Sequence, residues 1–331
     1  MRPMGSAPAT TPAPPSGDDI RELLRQQFPE SAELAALLIQ PLDTGGEHYT
    51  FAVGDDLVFR FPKDEATAAK TAREIAVLAA LAPALPLPVP AVRYVGSPSA
   101  RFPFVFAGQQ RIRGLMGETL RPPRAHWPRL ARQLGEFFAA LHHFPMARAL
   151  ELDLPRRPME PAQRLIADVT RYRRALGAAL PAGLREAAAP YLDGAVPVPP
   201  PMPLAASSAA GGLVVSHSDL KGEHIFVSLS GTEVTGVVDW SDAALCEPQV
   251  DLQDLMIWLG AGFLRQVLPH YFARRGAIDD DSQDLAEDLF RRAVPYRRYE
   301  CLRALGVRLA GDSDDPPDLL LTQLRWAFTN E

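Results

Sequence analysis

Cysteine is scarce. Only Cys246 and Cys301 occur in 331 residues, far apart, so neither a disulfide framework nor a zinc-ligand spacing can be built. No apolar run approaches the roughly 20 residues that cross a bilayer. Residues 1–19 are rich in Pro, Ala, Ser and Thr but lack the apolar block of a signal peptide, and they read as a disordered tail. Basic charge is not in excess either: the formal net charge is −6, whereas a nucleic-acid binder is more often basic. These shortages argue against membrane and nucleic-acid partners and make the cytoplasm the expected location. Lysine is greatly outnumbered by arginine, and Ala and Pro abound. That bias reports on the genome more than on the chemistry.

What is present is enough apolar sequence, 47%, to bury a core in one large domain or two modest lobes. Residues 20–40 read as an amphipathic helix with Leu23, Leu24, Phe28, Leu34, Leu37 and Leu38 inward. A turn-rich stretch, Asp43-Thr44-Gly45-Gly46-Glu47-His48, precedes two strands at 49–53 and 57–61 joined by Gly54-Asp55-Asp56. A helix over 67–82 follows, then a proline-rich connection and two more strands at 92–95 and 104–112. The first third thus reads β-β-α-β-β after a lead-in helix. Beyond Gly114 the chain is mainly helical, at 127–143, 162–180 and 184–192. Short strands at 213–216, 225–229 and 234–238 interrupt it, after a Pro/Ala/Ser/Gly-rich loop at 196–212. The expected architecture is α+β, with an N-terminal lobe over 20–113 around a small antiparallel sheet and a mainly helical C-terminal lobe over 114–331.

The chemistry concentrates in residues 216–251, SHSDLKGEHIFVSLSGTEVTGVVDWSDAALCEPQVD. Asp219 follows a strand, His224 lies five residues on, and Asp239 ends a second strand after a hairpin. Phosphoryl transfer needs a carboxylate to orient the attacking hydroxyl and take its proton, and a few ligands for the magnesium that neutralises the phosphates. Carboxylate, side-chain ligand and second carboxylate at strand ends supply those parts. A strand-turn-strand whose carboxylates cap turns would use some of the same residues.

The segment resembles the signature of the aminoglycoside phosphotransferase family, H-x-D-x-x-x-x-N followed by I-D-W or I-D-F. That family has a protein-kinase-like two-lobe fold. The resemblance implies Asp219 as catalytic base, His217 as support of its loop, Asp251 as the residue pinning that loop, and Asp239 as a magnesium ligand. His224 stands where most relatives have Asn. Imidazole can ligate a divalent cation, though magnesium prefers oxygen, and the H-x-D-x-x-x-x-H form is similar to macrolide phosphotransferases and aminoglycoside 2''-phosphotransferases. Ser218 stands where Gly is common. In the small lobe, Gly45, Gly46 and His48 resemble the nucleotide loop. Arg60 takes the place of the cation on the α- and β-phosphates, where kinases usually have Lys, and Glu74 that of the residue orienting it. The backbone of Gln110 and Ile112 takes the place of the hinge that holds the base. An outward strand residue or a solvated helix face would leave the same trace at Arg60 and Glu74.

The resemblance implies transfer of the γ-phosphate of ATP or GTP, with Mg2+, to a hydroxyl of an antibiotic-like small molecule (aminoglycoside, macrolide or nucleoside), and hence resistance. A metabolic kinase of the same fold acting on choline, homoserine or a sugar is the alternative; a catalytically inactive binding module is disfavoured by the presence of Asp219 and Asp239. For the acceptor, Asp242, Glu247 and Asp254 are candidate acidic contacts. The acidic run Asp279-Asp280-Asp281 reads as a solvated face, and Trp258, Leu259 and Phe263 as helix packing or an apolar wall. Nothing in the sequence sets the oligomeric state.

Overall fold

The computed structural model describes residues 12–43, 46–202, 212–273 and 278–329. Residues 1–11, Gly45 and most of the 196–212 loop therefore lie outside the described residues. The described residues form two compact units. One takes those of Met1–Pro83, Pro88–Ile112 and Val238–Asp242; the other takes those of Ala84–Leu87, Arg113–Val237 and Ala243–Glu331.

In the first unit, helix α1 (Gly17–Gln27) starts inside the stretch expected to be a tail. Ser16 and Asp19 form a reciprocal capping box, which satisfies two backbone donors at once, and Ile20, Leu23 and Leu24 are fully inside. The helix does not run to residue 40. Pro29 has no N–H and disfavours helical geometry at Phe28 before it, so the chain continues as a 3-10 segment, Pro29–Ala36, and then as strand β1 (Ile39–Asp43). Leu38, expected inward, is exposed.

Strands β2 (His48–Val53), β3 (Leu57–Pro62), β4 (Val92–Gly96) and β5 (Phe106–Gln110) complete an antiparallel sheet of order β1-β2-β3-β5-β4. Gly54 turns the β2–β3 hairpin at φ 61°, a backbone open to glycine at little cost. Helix α2 (Glu65–Leu81) is capped by Asp64, which accepts from the Thr67 N–H at 2.8 Å. Along β3 the period of two sends Phe59 and Phe61 into an aromatic core with Phe51, Phe102 and Phe106 and turns Arg60 to the opposite face.

The second unit is mainly helical. Its long helices are α3 (Trp127–His142), α5 (Ala162–Ala179), α6 (Ala182–Leu192), α9 (Ala261–Phe272), α10 (Asp280–Ala310) and α11 (Pro317–Ala327); the short ones are α4 (Met146–Leu150), α7 (Gln249–Asp254) and α8 (Met256–Leu259). Two small sheets carry the chemistry-bearing loops: β6 (Leu115–Met116), β8 (Ile225–Val227) and β9 (Val234–Val237) in order β6-β8-β9, and β7 (Val214–Ser216) with β10 (Ala244–Cys246). The acidic run at 279–281 is a helix start. Asp279 caps α10 by accepting from the Ser282 N–H, and Asp280 and Asp281 lie where the helix dipole favours negative charge. Among the described residues, no helix is long and apolar enough to cross a membrane.

Candidate active site

Two sets of polar side chains stand out, one in each unit. In the first, Arg60 reaches from β3 to α2 and grips Glu74 through one guanidinium nitrogen, at 2.8 and 3.1 Å from the two carboxylate oxygens. Its other terminal nitrogen donates to Asp239 Oδ1 at 3.0 Å. Glu74 is only 2% exposed, which removes the solvated-face alternative, and it also accepts from the Trp240 N–H at 3.3 Å. Burial works against the charged form of Arg60, but the carboxylates of Glu74 and Asp239 more than offset it and hold its pKa above the ordinary value. Asp239 takes a left-handed backbone, φ 62°, a conformation that Asp tolerates better than most residues. The turn aims its carboxylate at Arg60 and the Ser241 hydroxyl, 2.9 Å away.

His48, expected at a nucleotide loop, is instead buried beneath this cluster. Its Nε2 is 2.8 Å from the Thr71 hydroxyl and its Nδ1 3.4 Å from Arg60, so its ring is occupied by the scaffold. Burial, with the charge of Arg60, pushes its pKa down to about 3. An unfolded histidine titrates near 6.5, so the folded state must hold His48 neutral while the unfolded chain takes up a proton. The stability this contributes is present above pH 6.5 and is lost as the pH falls towards 3. Melting temperature is therefore expected to fall less steeply between pH 6 and 4 in His48→Gln than in the parent; equal slopes would remove His48 as a cause.

The second set surrounds the loop after β7. Asp251, on α7, is fully buried and accepts four hydrogen bonds: from the Ser216 hydroxyl at 2.7 Å, the His217 N–H at 3.0 Å, the Ser218 N–H at 2.8 Å and His142 Nε2 at 3.1 Å. Burial opposes its ionisation, but the hydrogen bond and charge of His142, with His217 and Ser216, hold the carboxyl below its usual range. Asp251 thus pins the backbone that presents Asp219. His142, at the end of α3, is itself braced by the Tyr271 hydroxyl at 3.0 Å. Ser218 is left-handed, φ 59°, which is the physical reason glycine suits that position.

Asp219, a third exposed, meets Lys221 Nζ at 2.8 Å. Burial disfavours the charged form of Lys221, and the Asp219 carboxylate outweighs this and raises its pKa. His224 donates its Nδ1–H to the Asp219 carbonyl at 2.6 Å. That bond makes Nε2 the lone-pair nitrogen, the tautomer a metal-ligating histidine needs. Among the described residues, no group of three or more His, Cys, Asp or Glu is assembled to hold a metal by itself. Magnesium, however, is usually held by one or two protein ligands together with phosphate oxygens and water, so a ready-made cluster of three is not required of its site.

The acceptor candidates separate. Asp242 is partly exposed, 3.5 Å from Lys70 Nζ. Glu247 is taken up by the Met159 N–H at 2.8 Å. Asp254 is buried inside α7, 2.9 Å from Arg297, and burial pushes its carboxyl up to about 7 against the pull of that arginine; it belongs to an internal network with Glu300 and Gln253. Trp258, Leu259 and Phe263 are at most 2% exposed, so all three are packing, although Trp258 also lines a small pocket beside the Asp219 loop. The same pocket is lined by Glu118, Arg121, Lys221, Glu223 and Gln323 among others.

Residues 38–287 match the family model described as the phosphotransferase enzyme family. The chain belongs to that family. Solved structures of similar fold include the GDP complex of aminoglycoside 2'-phosphotransferase-IIIa, 22% identical, TM-score 0.66, over 93% of this chain and 97% of that one. The apoenzyme of macrolide 2'-phosphotransferase MphH from Brachybacterium faecium is 21% identical, TM-score 0.57, over 93% and 98%. The streptomycin–ATP ternary complex of APH(2")-IIa is 17% identical, TM-score 0.51, over 93% and 95%. At these identities the likeness is one of fold, and the fold is that of the kinase-like antibiotic phosphotransferases. A comparison with curated protein sequences finds no match.

Lysine occurs at three positions only, 63, 70 and 221, and Lys221 belongs to the second set. Lys63 Nζ donates to the Gly46 carbonyl at 2.8 Å, Lys70 to Glu47 at 2.7 Å, and Lys221 to Asp219. None was singled out by motif reading. Their rarity in an arginine-rich chain was the signal that could have found them, because a compact ammonium and a planar guanidinium are not interchangeable at such sites.

Proposed function

We propose that this phosphotransferase moves the γ-phosphate of ATP or GTP onto a hydroxyl of an antibiotic-like small molecule, of aminoglycoside or macrolide type. The observation that carries the reading is Asp219, a third exposed on a loop whose backbone is pinned by the buried Asp251. In this reading the first unit binds the nucleotide and the second supplies the base.

Each residue then has a task. Arg60, held straight by Glu74, contacts the α- and β-phosphates in the manner of a kinase lysine, with a planar fork in place of a point charge. Gly46 and its neighbours offer backbone N–H groups to phosphate oxygens. The Gln110 N–H is committed to the Ala91 carbonyl at 2.8 Å, so its part in holding the base falls to its carbonyl, alongside the Ile112 N–H. Asp239 and His224 would hold Mg2+, which when bound neutralises charge on the phosphates. Asp219 orients the acceptor hydroxyl and takes its proton as the oxygen–phosphorus bond forms. The bond to the β–γ bridging oxygen breaks, and the nucleoside diphosphate leaves. His217 packs beside His224, ring centroids 5.8 Å apart, and steadies the loop. The acceptor hydroxyl would approach Asp219 on its solvent-open side, next to Lys221. Asp242 is the remaining acidic candidate of the three first considered.

Calorimetric titration with ATP and GTP, with and without Mg2+, tests the nucleotide half of this reading. Saturable binding strengthened by Mg2+ is expected; heats indistinguishable from dilution with both nucleotides would end it.

A further inference from the structure

The loop from Asp219 to His224 is locked by more than Asp251, and the second lock uses a residue with no polar part in the chemistry. Gly222 lies in this loop, and a methyl group there would stand 2.5 Å from Trp258 Cδ1. Gly117, at the end of β6, faces the other end of the same indole: a methyl there would stand 2.5 Å from Cζ2. Carbon atoms pack at about 3.5–4.0 Å, so both glycines are places where the ring occupies the volume of a side chain. The indole Nε1–H donates to the Gly117 carbonyl at 2.8 Å. The Gly117 N–H in turn donates to the Ile225 carbonyl at 2.7 Å, and the Glu118 N–H to the Gly222 carbonyl at 3.0 Å. The 117–118 backbone and the Trp258 ring therefore grip the loop at residues 222–225, whereas Asp251 holds it at 217 and 218.

Trp258 is itself held. Its carbonyl accepts from Arg121 at 2.9 Å, and the Arg121 guanidinium lies 4.0 Å from the Trp326 ring centroid on α11. The helix after α8 is tied to the chain end, with the Ala261 N–H donating to the Thr329 carbonyl at 3.2 Å. A 2%-exposed indole gripped in this way cannot shift without dragging the loop, because packed interiors transmit displacement.

We infer that Trp258 is a positioning residue for phosphotransfer: it is a wedge between Gly117 and Gly222 that sets where the base-bearing loop stands. The inference rests on the functional reading above. Its consequence is a size relation between two side chains. Gly222→Ala pushes the loop off the indole; Trp258→Phe removes ring volume and the bond to Gly117; and the double variant restores room for the methyl.

The test is a double-mutant cycle on the full chain, with two readouts. Hydrogen exchange of the 219–226 backbone amides is expected to rise in Gly222→Ala, to rise less in Trp258→Phe, and to return towards the parent in the double variant. With a turning-over acceptor, kcat is expected to fall roughly 10- to 100-fold in Gly222→Ala, with nucleotide KM unchanged, and to recover in the double variant. Effects that add, or a Gly222→Ala chain whose loop exchange is unchanged, would overturn the wedge. If Gly222→Ala does not fold, Trp258→Phe decides alone: unchanged loop exchange overturns the proposal, and faster exchange confined to that loop supports it. Because exchange needs no turnover, a parent protein that transfers no phosphate would defeat the functional reading while leaving this cycle to decide on the wedge.

Discussion

Replacing Asp219 with Asn is expected to lower kcat by roughly 10²–10⁴-fold while the nucleotide still binds, because general-base assistance has about that worth. The substitution keeps the size of the side chain and its place on a loop pinned by Asp251. What it removes is the ability to take a proton and the charge that Lys221 meets at 2.8 Å. Steady-state kinetics with nucleotide affinity measured separately gives the split: kcat falls and the dissociation constant stays within about twofold, the pattern of an interaction made only in the transition state. A variant with undiminished kcat would remove Asp219 from the role of base.

Asp239→Asn is expected to act on the other half of the reaction. It takes a negative charge from the group proposed to face Mg2+, and it leaves Arg60 with Glu74 as its one charged partner of the pair it now contacts. Mg2+-dependent nucleotide binding should weaken by at least ~10-fold, and binding measured without Mg2+ should change little. The comparison is a titration of parent and variant at fixed nucleotide over a range of Mg2+. Identical metal dependence in the two would mean that Asp239 is not a ligand.

Much of this was legible along the chain, for identifiable reasons. Helices such as α3 carry their apolar residues at a clean helical spacing, and Leu130, Leu134, Phe137, Phe138 and Leu141 are all fully inside. The antiparallel strands β2 and β3 announce themselves through the Gly54 turn. The break after Phe28 was missed because Leu34, Leu37 and Leu38 continue the apolar rhythm past Pro29, and the proline outweighs the rhythm. Strand β10 was missed because Ala-Leu-Cys is a short, wholly buried run, and periodicity cannot distinguish such a run from helix.

At the site, the residues nearest one another in sequence were the most readable. Asp219, His224 and Asp251 fall in one segment with fixed spacing, and the structure shows the Asp251 grip directly. Nearness along the chain misled for Asp254. It lies three residues after Asp251 on α7, so a helical turn brings both to the inner side, and there it meets Arg297. His48 lies next to a glycine turn, but the strand that begins at it directs its ring under the sheet to Thr71. Lys221 and Trp258 could not be read from a motif, since their meaning lies in contacts with Asp219 and with two glycines remote in sequence.

The central claim is phosphoryl transfer from nucleotide to a small-molecule hydroxyl, and phosphorus NMR follows it atom by atom. The protein would be incubated with Mg2+, ATP or GTP, and a panel of aminoglycosides and macrolides. The account predicts that for at least one acceptor the γ-phosphate resonance decays as a phosphomonoester resonance grows, and that neither change occurs with Asp219→Asn. A γ-phosphate signal left untouched by the parent protein with both nucleotides and every acceptor would contradict it.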